Sequence, residues 1–120
     1  MLKKRIDSFG FAFKGIFDLL KTQINARIHL CAAIFVFILG WYFQITAIEW
    51  CLCIFAIASV IAAEAFNTAL EFLTDLVSPD YHILAGKTKD VAAAGVLITA
   101  IGAAIVGLII FLPKFLLILT

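Results

Sequence analysis

Residues 50–71 read WCLCIFAIASVIAAEAFNTALE, and this stretch decides the fold. From Trp50 to Ala63 no side chain is charged; Glu64, Asn67 and Glu71 then follow at i, i+3 and i+7 without a break in helical composition. An uncharged run of this length is expected to cross a membrane. The helix it belongs to reads from 48 to 76, about 43 Å at 1.5 Å per residue, against a hydrocarbon core of about 30 Å. Its last turns are therefore expected to project beyond the lipid.

Downstream, Ser78-Pro79-Asp80 interrupts the pattern, and residues 77–88 read as a polar loop containing Tyr81, His82 and Gly86. A third span is expected over 89–113, apolar from Val91 to Leu112 apart from Thr99, with Pro113 at its outer end. Gly95, Thr99, Ala103 and Gly107 recur every four residues there, a stripe that permits close helix contact. Upstream, residues 24–43 form the first span, with Trp41 and Tyr42 suited to an interfacial aromatic belt. Before it, Leu2, Ile6, Phe9, Phe13, Ile16, Phe17 and Leu20 recur at helical spacing opposite Lys3, Asp7, Lys14, Asp18 and Lys21. Residues 2–21 are thus expected to form an amphipathic helix lying in the interface, as an anchor or as a cover for a site beneath it.

The whole chain agrees with this reading. Of 120 residues, 65% are apolar and 14% charged, with a mean hydropathy of +1.17. Soluble domains average about 45–50% apolar and about 25% charged, and a chain this short encloses too little interior to hide the excess. The expectation is a single all-α membrane domain: a surface helix plus three transmembrane helices.

Net charge is +1, which gives no global field for nucleic acid. The distribution of charge is more informative. Lys3, Lys4, Arg5, Lys14, Lys21 and Arg27 precede the first apolar run, Lys87 and Lys89 lie between the second and third, and Gln44–Glu49 has no basic residue. The positive-inside rule puts the N-terminus and the second connection of this multi-pass chain in the cytoplasm. Charges at Asp7, Lys14, Asp18 and Lys21 interrupt the N-terminal segment, unlike a cleavable signal peptide. Cys31, Cys51 and Cys53 sit in apolar runs and read as small packing residues.

Glu64 and Glu71 lie nearly in line on one helix face, about 10 Å apart along the axis, with Asn67 beside them. An ionisable residue in a span is costly and marks function by default. Its structural alternative is a partner for a lysine, or a protonated carboxyl bonding a neighbouring helix. Lys89-Asp90 opens the third span, where a cation, a carboxylate and a helix N-terminus can engage phosphate and metal. No phosphate-binding glycine loop or soluble-kinase signature is present. Any nucleotide must then be held through metal on carboxylates and by lysines, which phosphoryl transfer can accept because it asks mainly for positioning and charge neutralisation.

The set Glu64-Ala-Phe-Asn67-Thr-Ala-Leu-Glu71, Asp75, Tyr81-His82 and Lys89-Asp90-x-Ala-Ala closely resembles the bacterial membrane diacylglycerol kinase and undecaprenol kinase family, over nearly the whole chain. The resemblance implies a homotrimer with active sites at subunit interfaces, transferring the γ-phosphate of ATP with Mg²⁺ to a membrane lipid alcohol. It implies Glu64 as catalytic base, Asn67 as orienting residue, and Glu71 as metal ligand. It further implies nucleotide contacts at Lys4, Phe11, Asp80, Tyr81, His82, Lys89 and Asp90. Where many members carry a glutamate as second metal ligand this chain has Gln23, and an amide is the poorer ligand for Mg²⁺. Gln23 then ligates through its carbonyl or through water, Asp18 or another acid compensates, or metal affinity falls.

The ending Leu108 to Phe115 and the triplet Arg27-Ile-His29 lean toward the undecaprenol branch. His29 itself reads as part of an interfacial anchor with Arg27, and His82 as a nucleotide contact instead of a metal ligand. The competing functions are a small oligomeric transporter using Glu64 as proton carrier and a catalytically weakened, lipid-binding relative.

Overall fold

The structure, a computed structural model, describes residues 1–120. It contains four helices in chain order: α1 (Leu2–Thr22), α2 (Ile24–Tyr42), α3 (Ala47–Val77) and α4 (Ile83–Leu119). The last three are long and apolar enough to cross a membrane. Only 12 of 120 residues are buried, while Phe35, Phe55, Ile98 and many similar side chains lie open. A single chain therefore leaves most of its apolar surface to be covered by lipid or by other chains.

A helical junction and two turns connect these elements. Gln23 ends α1 and begins α2: its backbone is extended, its N–H donates to Leu19 O and its carbonyl accepts from Arg27 N. The α2–α3 connection is a Schellman turn. Ile45 N–H donates to Gly40 O, Gln44 N–H donates to Trp41 O, and Gln44 takes a positive φ of 49°. A capping box follows at once, with Glu49 N–H donating to Thr46 Oγ1 and Thr46 N–H donating to Glu49 Oε2.

Two features differ from the sequence reading. The polar loop is short, because α4 begins at Ile83 and not near Thr88. His82 Nδ1 accepts the Leu84 N–H at 3.0 Å and so caps the helix, and residues 83–88 contain no proline to oppose it. Lys89 and Asp90 consequently lie in the second turn and beyond, past the reach of the helix N-terminal dipole. Nor does Pro113 end the last helix, which continues to Leu119. Proline removes one backbone donor, but the apolar residues after it have no better way to satisfy their own backbone groups in lipid than to stay helical.

α3 and α4 form an antiparallel hairpin pinned at both ends. Lys89 Nζ lies 2.6 Å from Asp75 Oδ1, and Lys114 Nζ lies 2.8 Å from Glu49 Oε1. These clamps are separated by 26 positions on α3, about 39 Å of helix, which brackets a hydrocarbon core of about 30 Å. The hydrophobic core sits near the Glu49 end, where Ile45, Cys53, Ile110 and Phe111 are buried under Phe43 and Trp50. There α2 meets α3 closely: a Cβ on Gly40 would fall 2.7 Å from the Trp50 ring.

Candidate active site

The acidic face of α3 is buried by α2 from one side. Glu64 is 2% exposed, Asn67 9% and Thr68 4%, in a chain where few residues are buried at all. Glu64 Oε1, Asn67 Oδ1 and Thr68 Oγ1 are each buried without a hydrogen bond. Three orphaned oxygens in one helical turn are costly unless a partner from outside the chain completes them. One turn further on, Asn67 Nδ2 donates to Glu71 Oε1 at 3.1 Å, leaving Glu71 Oε2 uncommitted. Glu71 is half-buried.

His29, on α2, places Nε2 3.3 Å from Glu64 Oε1. The approach is a close polar contact whose alignment does not make it a hydrogen bond. This corrects the expectation that His29 is a surface anchor. Ala26 and Ala33, three residues before and four after it, are buried, so that face of α2 turns inward and carries the imidazole with it. An apolar cleft of about 270 Å³ opens beside it between α2, α3 and α4, lined by Ala33, Cys53, Val60, Ala103 and Gly107 among others, with His29 at its rim.

The nucleotide-contact candidates divide into two groups. Asp80, Tyr81, His82 and Lys89 line one polar cleft of about 280 Å³ at the α3–α4 turn, together with Asp75 and Ser78. Asp90 is exposed on α4 next to Lys89. Lys4 and Phe11 are exposed on α1 and line neither this cleft nor the apolar one. Gln23 is half-buried at the α1–α2 junction, and its side chain makes no hydrogen bond. Asp18 lines a wider opening between α1 and α3 that reaches Thr68.

Residues 10–111, most of the chain and every candidate residue but Lys4, match the family described as prokaryotic diacylglycerol kinase. The chain belongs to that family. It is 37% identical over 113 residues to the undecaprenol kinase of Bacillus subtilis, covering 94% of this chain and 92% of the relative. It is 38% identical over 110 residues to a diacylglycerol kinase of Synechocystis, of which it spans 63%. It is also 28% identical to the diacylglycerol kinase of Escherichia coli, across 92% of this chain and 90% of that one. Membership brings an enzyme's chemistry to a membrane chain that buries Glu64, Asn67 and Thr68 on one face of α3, and favours phosphoryl transfer over proton-coupled transport.

Two residues of the family site's surroundings escaped the sequence reading. Thr68 stands at i+4 from Glu64, on the same face, and that spacing was available to find it. His29 carried no such signal, since its facing residue lies 35 positions away on another helix.

Proposed function

We propose that this protein is an ATP-dependent lipid kinase of the membrane, transferring the γ-phosphate of ATP to the hydroxyl of a lipid alcohol. The observation that carries the reading is Glu64: a carboxylate 2% exposed, with an unbonded oxygen, beside Asn67 in a chain of this kinase family. Undecaprenol is the first candidate acceptor, because the Bacillus subtilis relative named for it aligns over nearly the full length of both chains. Diacylglycerol is the second.

Glu64 acts as the general base that takes the proton of the acceptor hydroxyl. Asn67 orients the site by holding Glu71 through Oε1 and presenting its own Oδ1 to the reacting groups. Lys89 exchanges its Asp75 partner for a phosphate oxygen, Asp90 lies against the nucleotide, and Asp80, Tyr81 and His82 form the wall of the nucleotide cleft. Lys4 and Phe11 contribute from the surface helix, which lies along the membrane.

Magnesium fits the oxygens present. Glu71 Oε2 and the side-chain amide oxygen Oε1 of Gln23 are both free of hydrogen bonds, and Mg²⁺ typically takes one or two protein oxygens, phosphate oxygens and water. No group of three or more His, Cys, Asp or Glu side chains in the chain forms a dedicated cage. When bound, the ion neutralises charge on the phosphates. The exposed apolar surface and the small-residue stripe of α4 support a homotrimer in which neighbouring copies complete each site. The basic residues before α2 support an inner-membrane protein with this end in the cytoplasm.

The test is transfer of labelled γ-phosphate from ATP to undecaprenol and diacylglycerol, presented side by side in mixed micelles with Mg²⁺. Product on one lipid establishes the activity and its acceptor. No product on either, from protein shown to be folded, rejects both acceptors.

A further inference from the structure

We propose that His29 is a positioning and proton-accepting partner of Glu64, so that the base of the reaction is a carboxylate–imidazole pair spanning α2 and α3. The inference rests on the kinase reading above and deepens it.

Neither oxygen of Glu64 accepts a hydrogen bond from its own helix or from the rest of the chain. The one polar group brought to it from another helix is the His29 imidazole, with Nε2 3.3 Å from Oε1. Burial differs sharply across the pair: the Glu64 side chain is 2% exposed and that of His29 25%. The ring therefore gives a proton on the buried Oε1 a route outward. A mere anchor would turn its imidazole to the headgroups, whereas this one lies at the rim of an apolar cleft against a buried acid.

The acceptor hydroxyl gives its proton to Glu64 while its oxygen forms the bond to the γ-phosphorus. The bond from that phosphorus to the β,γ-bridging oxygen breaks, and the electron pair leaves with ADP. Glu64 then passes the proton to Nε2 of neutral His29, and the ring releases a proton to water from its open edge. Glu64 returns to its charged form for the next turnover.

The structural alternative is that His29 only holds the carboxylate in place. His29→Gln separates the two roles, since glutamine can donate a hydrogen bond but cannot carry the proton onward. With purified full-length protein in lipid micelles, His29→Gln is expected to lower kcat roughly 10²-fold with KM for ATP within about twofold of wild type. Full kcat in His29→Gln overturns the proton role. A second measurement does not depend on turnover. In ¹⁵N-histidine-labelled protein carrying His82→Gln, so that one imidazole remains, Glu64→Gln is expected to move the ring-nitrogen resonances of His29. Unmoved resonances overturn the contact itself. If wild type phosphorylates no lipid alcohol, the kinase reading and the proton role fall together, and the resonances alone decide whether the two side chains meet.

Discussion

Glu49 and Lys114 are 65 residues apart in sequence and 2.8 Å apart in space. The same carboxylate uses its other oxygen to cap α3 through the Thr46 N–H. One side chain thus ties the α2–α3 turn to the far end of α4, and Lys114 Nζ also donates to Ile110 O, one turn earlier on its own helix. Both partners are half-buried. Lys114→Met is expected to lower the thermal midpoint in micelles, because it leaves Glu49 charged without its partner. The double variant Lys114→Met/Glu49→Gln should recover part of the loss, since glutamine keeps the capping box and no lone charge remains. A double variant less stable than either single one would contradict the pairing.

Gly40 is where α2 touches α3. A methyl group added there meets the Trp50 ring at 2.7 and 2.9 Å and Ile45 at 3.0 Å. Gly40→Ala should destabilise the protein by about 1–3 kcal/mol, the usual cost of overpacking, read from denaturation in mixed micelles. The accompanying signature is a change in Trp50 fluorescence, as the indole is pushed from its place.

Gln44 is the one non-glycine residue with positive φ, at the left-handed position of the Schellman turn. Glycine occupies that position without steric cost. Gln44→Gly is therefore expected to stabilise by about 0.5–1 kcal/mol, less than the full left-handed penalty because glycine also loosens the unfolded chain. A lowered midpoint would show that the glutamine side chain contributes something beyond the turn.

Glu64→Gln removes the base while keeping volume and burial. Turnover should fall roughly 10²–10⁴-fold with nucleotide binding retained. Glu71→Ala should instead weaken nucleotide and metal binding, with the residual rate restored in part by high Mg²⁺. The pair of KM and kcat values for each variant, measured by labelled phosphate transfer, separates the two roles.

Gln23 offers a sharper test of the metal site. If its carbonyl shares the ion with Glu71, Gln23→Glu supplies a second carboxylate and lowers the Mg²⁺ concentration needed for half-maximal activity. Chelation of Mg²⁺ should abolish transfer in both proteins. An unchanged Mg²⁺ requirement in Gln23→Glu would remove residue 23 from the metal site.

Much of this protein was legible in its sequence. The uncharged run from Trp50 to Ala63 and the runs on either side of it determine three long apolar helices, because lipid forces backbone groups to bond within their own segment. The spacing of Glu64, Asn67 and Glu71 determines a shared face, because helical geometry is local. The ends of α4 were not legible. His82 caps it through a side-chain nitrogen, and Pro113 is absorbed because the apolar residues after it keep their backbone groups bonded in lipid by staying helical. Only the tertiary structure decided that His29 faces Glu64, that Lys114 faces Glu49 and that Trp50 presses on Gly40. Each is a meeting between different helices, fixed by how the segments pack and rotate against one another, and apolar surfaces in lipid carry little pattern to announce which faces will meet.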